Sequence, residues 1–280
     1  MDLGHFAVDT VTLSGTLEDK LRVTRDAGFG GIEIWAKDLV THPGGVPGAV
    51  AAIRASGLRV TSFQLLKDYE GLDAHLHDYK IEVAKSLMDL VEAVGAPVLV
   101  VASSTSPYAT GDIDRIAADL AKLAMLATPR GIRIAYGAPA WARWVNEYPV
   151  VWEAVRRANR PNLGMLINVF HLLAKGTSLA TLDTIPGDRI FLVQMADYLG
   201  DLRDITETAD HRRAFPNESA HRGIIADMLR KVHAAGYRGD YVFEVFNDEY
   251  LHLAPEAVMA RARKAAQWVV AETTRAADVP

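Results

Sequence analysis

Glu244 stands in the middle of an apolar run, Val242-Phe-Glu-Val-Phe246. A carboxylate buried alone there would be costly, so it calls for an ion-pair partner, a metal or a catalytic role. Other apolar runs carry polar side chains at or near their ends. Leu163-Gly-Met-Leu-Ile-Asn168 closes on an amide, with His171 three residues on. Arg189-Ile-Phe-Leu-Val-Gln-Met-Ala-Asp197 holds Gln194 and Asp197, Gly31-Ile-Glu-Ile-Trp35 holds Glu33, and Leu58 to Gln64 leads into Lys67. Together these types could transfer protons beside a carbonyl. Glu244 would be the base, His171 the second acid–base group, and Asn168 and Gln194 hydrogen-bond donors to an enolate oxygen. Lys67 and the cluster His211-Arg212-Arg213 suit an anionic ligand group. Trp141 and Trp144 could wall a pocket, and Tyr136 joins the substrate-contact candidates. Each has a structural alternative: an ion pair for Glu244, a clamp on Arg22 for Glu33, capping or packing for His171. His75 and His77 read as solvated.

Positioning such groups requires that the runs be strands with their carboxyl ends at one face. Eight runs qualify: 6–9, 31–35, 58–64, 96–102, 132–136, 163–168, 189–197 and 239–246. Between them lie helical patterns. One opens at Thr16 with Asp19 as capping partner, and one spans Pro47 to Ser56 before Gly57. Asp73 to Val94 has Ile81, Ala84, Leu87, Met88, Val91 and Val94 at three- and four-residue spacing. Others cover Ile113 to Ala127, the stretch after Pro149, a short piece after Ser178, Gly223 to Ala235, and a last one from Pro255. Alternation of this kind gives parallel pairing with right-handed crossovers. Eight units fit an α/β fold of the (β/α)8 TIM barrel type, in a single domain over residues 1–280. A doubly wound sheet usually has a glycine-rich phosphate loop after its first strand, and Val11-Thr-Leu-Ser-Gly15 lacks that spacing. Asp201 to Ser219 is a charged loop long enough for a lid or binding role.

Bulk composition agrees. The chain has 280 residues, is 50% hydrophobic, and has a formal charge of −5 without a long run of one sign. A basic face for nucleic acid is missing. There is no cysteine, so disulfides and thiolate metal sites are excluded. No signal-peptide pattern opens the sequence and no run is long enough to span a membrane, so the expectation is a cytoplasmic protein acting on a small molecule.

The chain resembles the xylose isomerase-like TIM barrels of the sugar phosphate isomerase/epimerase superfamily, and within it the bacterial 3-dehydroshikimate dehydratases. The resemblance rests on Leu13-Ser-Gly-Thr-Leu17, Gly31 to Trp35, Phe63-Gln64 with Lys67-Asp-Tyr-Glu-Gly71, Ala140-Trp-Ala-Arg143, Val193 to Asp197, Phe215-Pro216 and Phe243 to Asp248. It implies one divalent metal held by a glutamate ending strand five, an aspartate ending strand six, a glutamine on strand seven and a glutamate on strand eight. That metal would polarise a carbonyl during water elimination. Gln194, Glu244 and the histidine at the reacting centre, His171, match the pattern. Gly137 stands where strand five should give glutamate, and Asn168 where strand six should give aspartate. The arginine of the strand-three loop appears as Lys67, and Phe-Pro-Gly as Phe215-Pro-Asn217.

A hard dication needs anionic oxygens. With two carboxylates gone, each lost contact is worth several kcal/mol, and the bare Gly137 is expected to enlarge the cavity. No tightly bound cofactor is therefore expected, although a weak Mg or Mn site through Glu244, Gln194, Asn168 and water stays open. The leading expectation is a metal-independent lyase or isomerase working by acid–base chemistry on a small anionic, polyoxygenated substrate. A rearranged metal site using Glu33, or a non-catalytic ligand-binding barrel, are the competing readings. Barrels of this family often pair, which leaves a homodimer open.

Overall fold

Val98-Leu-Val-Val-Ala102 shows why these runs become interior strands: all five residues are buried. Val98 and Val100 pack inside the barrel, whereas Leu99 and Val101 join the layer under the helices. A strand covered on both faces must be apolar on both. The computed structural model describes residues 3–202 and 207–277. The barrel strands are β1 (Phe6–Asp9), β2 (Gly31–Trp35), β3 (Arg59–Lys67), β4 (Val98–Ala102), β5 (Arg133–Gly137), β6 (Leu163–Asn168), β7 (Ile190–Met195) and β10 (Tyr241–Phe243). They close in the order β1-β10-β7-β6-β5-β4-β3-β2, and every neighbouring pair is parallel. The TIM barrel expected from the alternation is thus the fold observed.

The outer layer comprises α1 (Leu17–Asp26), α2 (Ala36–Val40), α3 (Gly45–Ser56), α4 (Ala74–Val94), α5 (Ile113–Ala127), α6 (Tyr148–Ala158), α7 (Val169–Lys175), α8 (Arg222–Ala234) and α9 (Pro255–Ala277). Local chemistry sets their ends. Thr16 and Asp19 form a reciprocal capping box on α1. Asp73 accepts from the Leu76 amide at the start of α4, and Gly95, at φ 72°, closes it in the left-handed region. The second crossover has two helices where one was expected, because Ala36–Val40 forms a turn of its own.

Strand seven is shorter than its sequence suggests. After Met195 the chain leaves the barrel, and β8 (Asp197–Tyr198) pairs antiparallel with β9 (Arg213–Ala214). Asp197 holds this departure: its carboxylate accepts from Ser219 Oγ at 2.6 Å and from the Tyr198 amide at 2.7 Å, and lies 3.0 Å from His221 Nδ1. The expected loop at Asp201–Ser219 therefore includes a 3₁₀ turn (Glu207–His211) and β9; its residues 203–206 lie outside the described residues. The pairing brings Arg213 to the carboxyl ends of the barrel strands.

Candidate functional site

At that end lies a cavity of about 790 Å³, lined among others by Lys67, Trp141, Asn168, His171, Gln194, Arg213 and Glu244. Sequence-adjacent strands supply its floor. Asn168 and Gln194 are in register across β6 and β7, and Gln194 pairs with Val242 of β10. Asn168 Nδ2 donates to Gln194 Oε1 at 3.0 Å and to Glu244 Oε2 at 2.8 Å. Gln194 Nε2 donates in turn to Glu33 Oε1 at 2.7 Å, and Ser62 Oγ donates to the other Glu33 oxygen. A chain of amides thus links the cavity floor to a carboxylate sealed beneath it.

Arg213 supplies the cation of the floor. Its Nη1 donates to Glu244 Oε2, while Nε donates to Asp210 Oδ1 at 2.9 Å. Its guanidinium plane lies 4.4 Å from the Phe170 ring centroid and 4.9 Å from that of Phe246. Burial pushes the Glu244 carboxyl up to about 7; Arg213 pulls the other way and Glu33 adds to the rise. A carboxylate with that affinity for protons is suited to a general base near neutral pH.

His171 sits in the first turn of α7, beside the cavity. The Ala140 amide donates to its Nδ1 at 3.4 Å, so the neutral ring carries its proton on Nε2. Burial, with Arg213 and Lys67 adding positive charge, holds the ring well below its ordinary value. Trp141 meets it edge-on at 4.8 Å between centroids. His171 is therefore neutral at pH 7 and presents an N–H donor.

Three candidates lie away from the cavity. Tyr136 points to the helix side of β5 and donates to Glu70 Oε1 at 2.9 Å; strand alternation sends it outward because Gly137 faces inward. Glu33 is fully buried below the floor and orders Gln194, while Arg22 pairs on the surface with Glu256 at 3.1 Å. Trp144 also leaves the cavity and donates to the Ala109 carbonyl. His77 is buried rather than solvated, packed at 4.9 Å on Tyr69. His211 reaches the cavity rim and lies 3.1 Å from Asp248. Asp9 escaped notice in the sequence. It ends β1, pairs in register with Glu33 and accepts from Gln64 Nε2. Burial, then Glu33, raises its carboxyl well above the ordinary range. The signal was available: a strand closing on a carboxylate, the same pattern that drew attention to the other strands.

Residues 21–271 match the family described as xylose isomerase-like TIM barrel. The chain belongs to that family. The 3-dehydroshikimate dehydratase of Pseudomonas aeruginosa is 38% identical to it over 245 residues, 87% of this chain and 38% of that protein. The chain thus spans under two fifths of the length of that relative. A solved xylose isomerase-like TIM barrel/4-hydroxyphenylpyruvate dioxygenase fusion protein superposes with a TM-score of 0.91 at 34% identity, over 96% of this chain and 43% of that one. An IOLI protein with a bound zinc atom has the same fold, with a TM-score of 0.85 at 21% identity over 96% of this chain and 99% of that one.

The metal implied by the family resemblance does not fit these residues. Gly137 lines the cavity but offers no donor, and Leu166 packs beside it. A Cβ added there would lie 2.7 Å from Leu166 Cδ2. Leu166 therefore occupies part of the space that the missing side chain leaves beside the cavity. Glu244 Oε2 already accepts from the Arg213 guanidinium and the Asn168 amide, which leaves a cation at most one oxygen of this carboxylate and places it beside a buried positive charge. Among the described residues, no group of three or more His, Cys, Asp or Glu could hold a metal ion.

Proposed function

We propose that this xylose isomerase-like barrel is a lyase or isomerase that moves protons beside a carbonyl of a small anionic, polyoxygenated substrate, without a divalent metal. The observation that carries the reading is the buried contact of Arg213 with Glu244, next to a neutral His171 in the same cavity. Glu244, as carboxylate, takes the proton from carbon adjacent to the carbonyl. The electron pair left behind moves onto oxygen, and the enolate accepts hydrogen bonds from His171 Nε2–H and from the second N–H of Gln194, whose first is held by Glu33. A neutral imidazole donor is suited to this task because it need not lose a charge. In an isomerisation, Glu244 returns its proton to the former carbonyl carbon, while the hydroxyl proton on the neighbouring carbon passes to the old carbonyl oxygen and that hydroxyl becomes the new carbonyl. In a dehydration, the enolate expels a hydroxyl from the next carbon, and the Glu244 acid protonates it as water. Either route regenerates the carboxylate and needs no further reagent.

The Pseudomonas relative supports dehydration as the first activity to assay, with 3-dehydroshikimate as the first substrate. Turnover should persist after exhaustive dialysis against chelator and disappear in Glu244→Gln. Activity that dies with the chelator and returns with manganese would overturn the metal-free reading.

A further inference from the structure

A side-chain amide can sit either way round, because exchanging its oxygen and nitrogen hardly changes its shape. The order of the two floor amides is set by the group at the far end of their chain. Glu33 is fully buried on β2 and lies outside the cavity lining. As a carboxylate it offers acceptors alone. Gln194 must therefore turn its nitrogen to Glu33, at 2.7 Å, which leaves Gln194 Oε1 for Asn168 Nδ2 at 3.0 Å. Asn168 gives its other N–H to Glu244 Oε2 at 2.8 Å, and its Oδ1 accepts from the His171 amide at 3.3 Å. Both Asn168 N–H groups are thus engaged, whereas Gln194 keeps one for the cavity it lines. The surroundings of Glu33 hold it in the accepting state. Ser62 Oγ donates to its second oxygen, and the Asp9 carboxyl, in register on β1, is a further hydrogen-bond partner. Neither acid has a salt-bridge partner among the described residues. Two carboxyls sealed together in that way share a proton rather than both ionise. Burial, then Glu33, raises Asp9 the further of the two, which leaves the charge on Glu33.

We infer that Glu33 is a positioning residue for the reaction: by accepting from Gln194 it turns the free N–H of that amide to the substrate oxygen on which negative charge develops. This deepens the proposed function and rests on that reading of the site. With Gln194 reversed, its oxygen would face the Glu33 carboxylate and its nitrogen the Asn168 nitrogen, so like would meet like at both ends. An apolar side chain at position 33 would fill the same space but leave Gln194 without its anchor. A ground-state carbonyl gains little from the aimed N–H and an enolate gains much, because the interaction grows with the charge on oxygen. The effect therefore falls on kcat rather than on KM.

The test is a double-mutant cycle on the full chain, with 3-dehydroshikimate as substrate. Glu33→Met should lower kcat by about tenfold to a hundredfold and leave KM nearly unchanged. Glu33→Gln, whose oxygen can face Gln194 while its nitrogen faces Ser62, should keep most of kcat. Because Glu33 acts through Gln194, Glu33→Met should cost nothing further in a Gln194→Leu background. Should Glu33→Met fold poorly, Asp9→Leu with Glu33→Met removes both acids and strands neither, and takes its place in the cycle. Native kcat in a folded variant without the Glu33 carboxylate, an equal loss in Glu33→Gln, or additive losses in the cycle would each overturn the inference. A reading that needs no turnover comes from nitrogen-15 NMR of the Gln194 side-chain amide, assigned by its loss in Gln194→Leu. One of its protons should lie downfield and resist exchange in the native chain, and should lose both properties in Glu33→Met. A freely exchanging Gln194 amide in the native chain would overturn the inference as well. A protected amide in a catalytically silent protein would sink the reaction and keep the hold of Glu33 on Gln194.

Discussion

Arg213 and Glu244 are both buried, 2% and 5% exposed, and the guanidinium donates directly to the carboxylate. Asp210 accepts from the same guanidinium, so one cation serves two acids at the mouth of the barrel. Removing it should act on charge and on stability together. Arg213→Met is expected to lower stability by about 3–5 kcal/mol, the usual result of leaving a buried charge without its partner. It should also raise the Glu244 carboxyl beyond about 7, since Arg213 is what draws it down. The acid limb of kcat/KM should then move to higher pH. A limb that stays put would mean Arg213 does not set the base.

The pH profile of the native chain follows from the same residues. Glu244 acts as base only when ionised, so kcat/KM should rise with pH and level off above about 7. His171, held neutral, should add no second inflection near its ordinary value of 6.5. His171→Asn should slow turnover by roughly a hundredfold to a thousandfold while leaving the position of that acid limb. An inflection near 6.5 that vanishes with His171 would show the ring titrating in the working range.

Glu70 offers a check away from the chemistry. It is buried, with Oε1 accepting from the Ser104 amide at 2.6 Å and from Tyr136, while Oε2 has no partner among the described residues. Burial raises it to about 7 from 4.5. A carboxyl that is raised on folding binds its proton more tightly in the native state. Its contribution is therefore full below about 4.5 and is lost as pH climbs through about 7. The difference corresponds to about 3 kcal/mol at most. Denaturant titrations should show stability falling across that window, and Glu70→Gln should flatten the fall. An unchanged slope in Glu70→Gln would contradict the assignment.

Rebuilding a metal site tests the role of Leu166. Gly137→Glu with Asn168→Asp restores both missing carboxylates, yet Leu166 stands in the path of the first. Manganese titration followed by electron paramagnetic resonance should show no tight binding in that double variant. Adding Leu166→Ala opens the space and should produce it. Tight manganese binding before the leucine is removed would show that charge alone was missing.

The sequence by itself determined the barrel and the direction of its site. Buried parallel strands must be apolar on both faces, so the runs around Val98–Ala102 and Ile190–Val193 stood out, and Glu244 stood out against its run. Period and polarity are properties of neighbours along the chain, and neighbours can be read directly. Tertiary structure decided what those residues touch. Tyr136 and Gly137 are adjacent in sequence, yet alternation sends one outward to Glu70 and leaves the other facing in beneath Leu166, 29 residues further on. Arg213 reaches Glu244, 31 residues away, because Asp197 turns the chain out of the barrel and β9 carries the arginine back over it. Closing a barrel joins strands distant in sequence, and the volume beside a glycine belongs to whichever side chain closure brings there. A glycine in the sequence is a missing side chain; only the packed barrel shows that Leu166 occupies part of the gap.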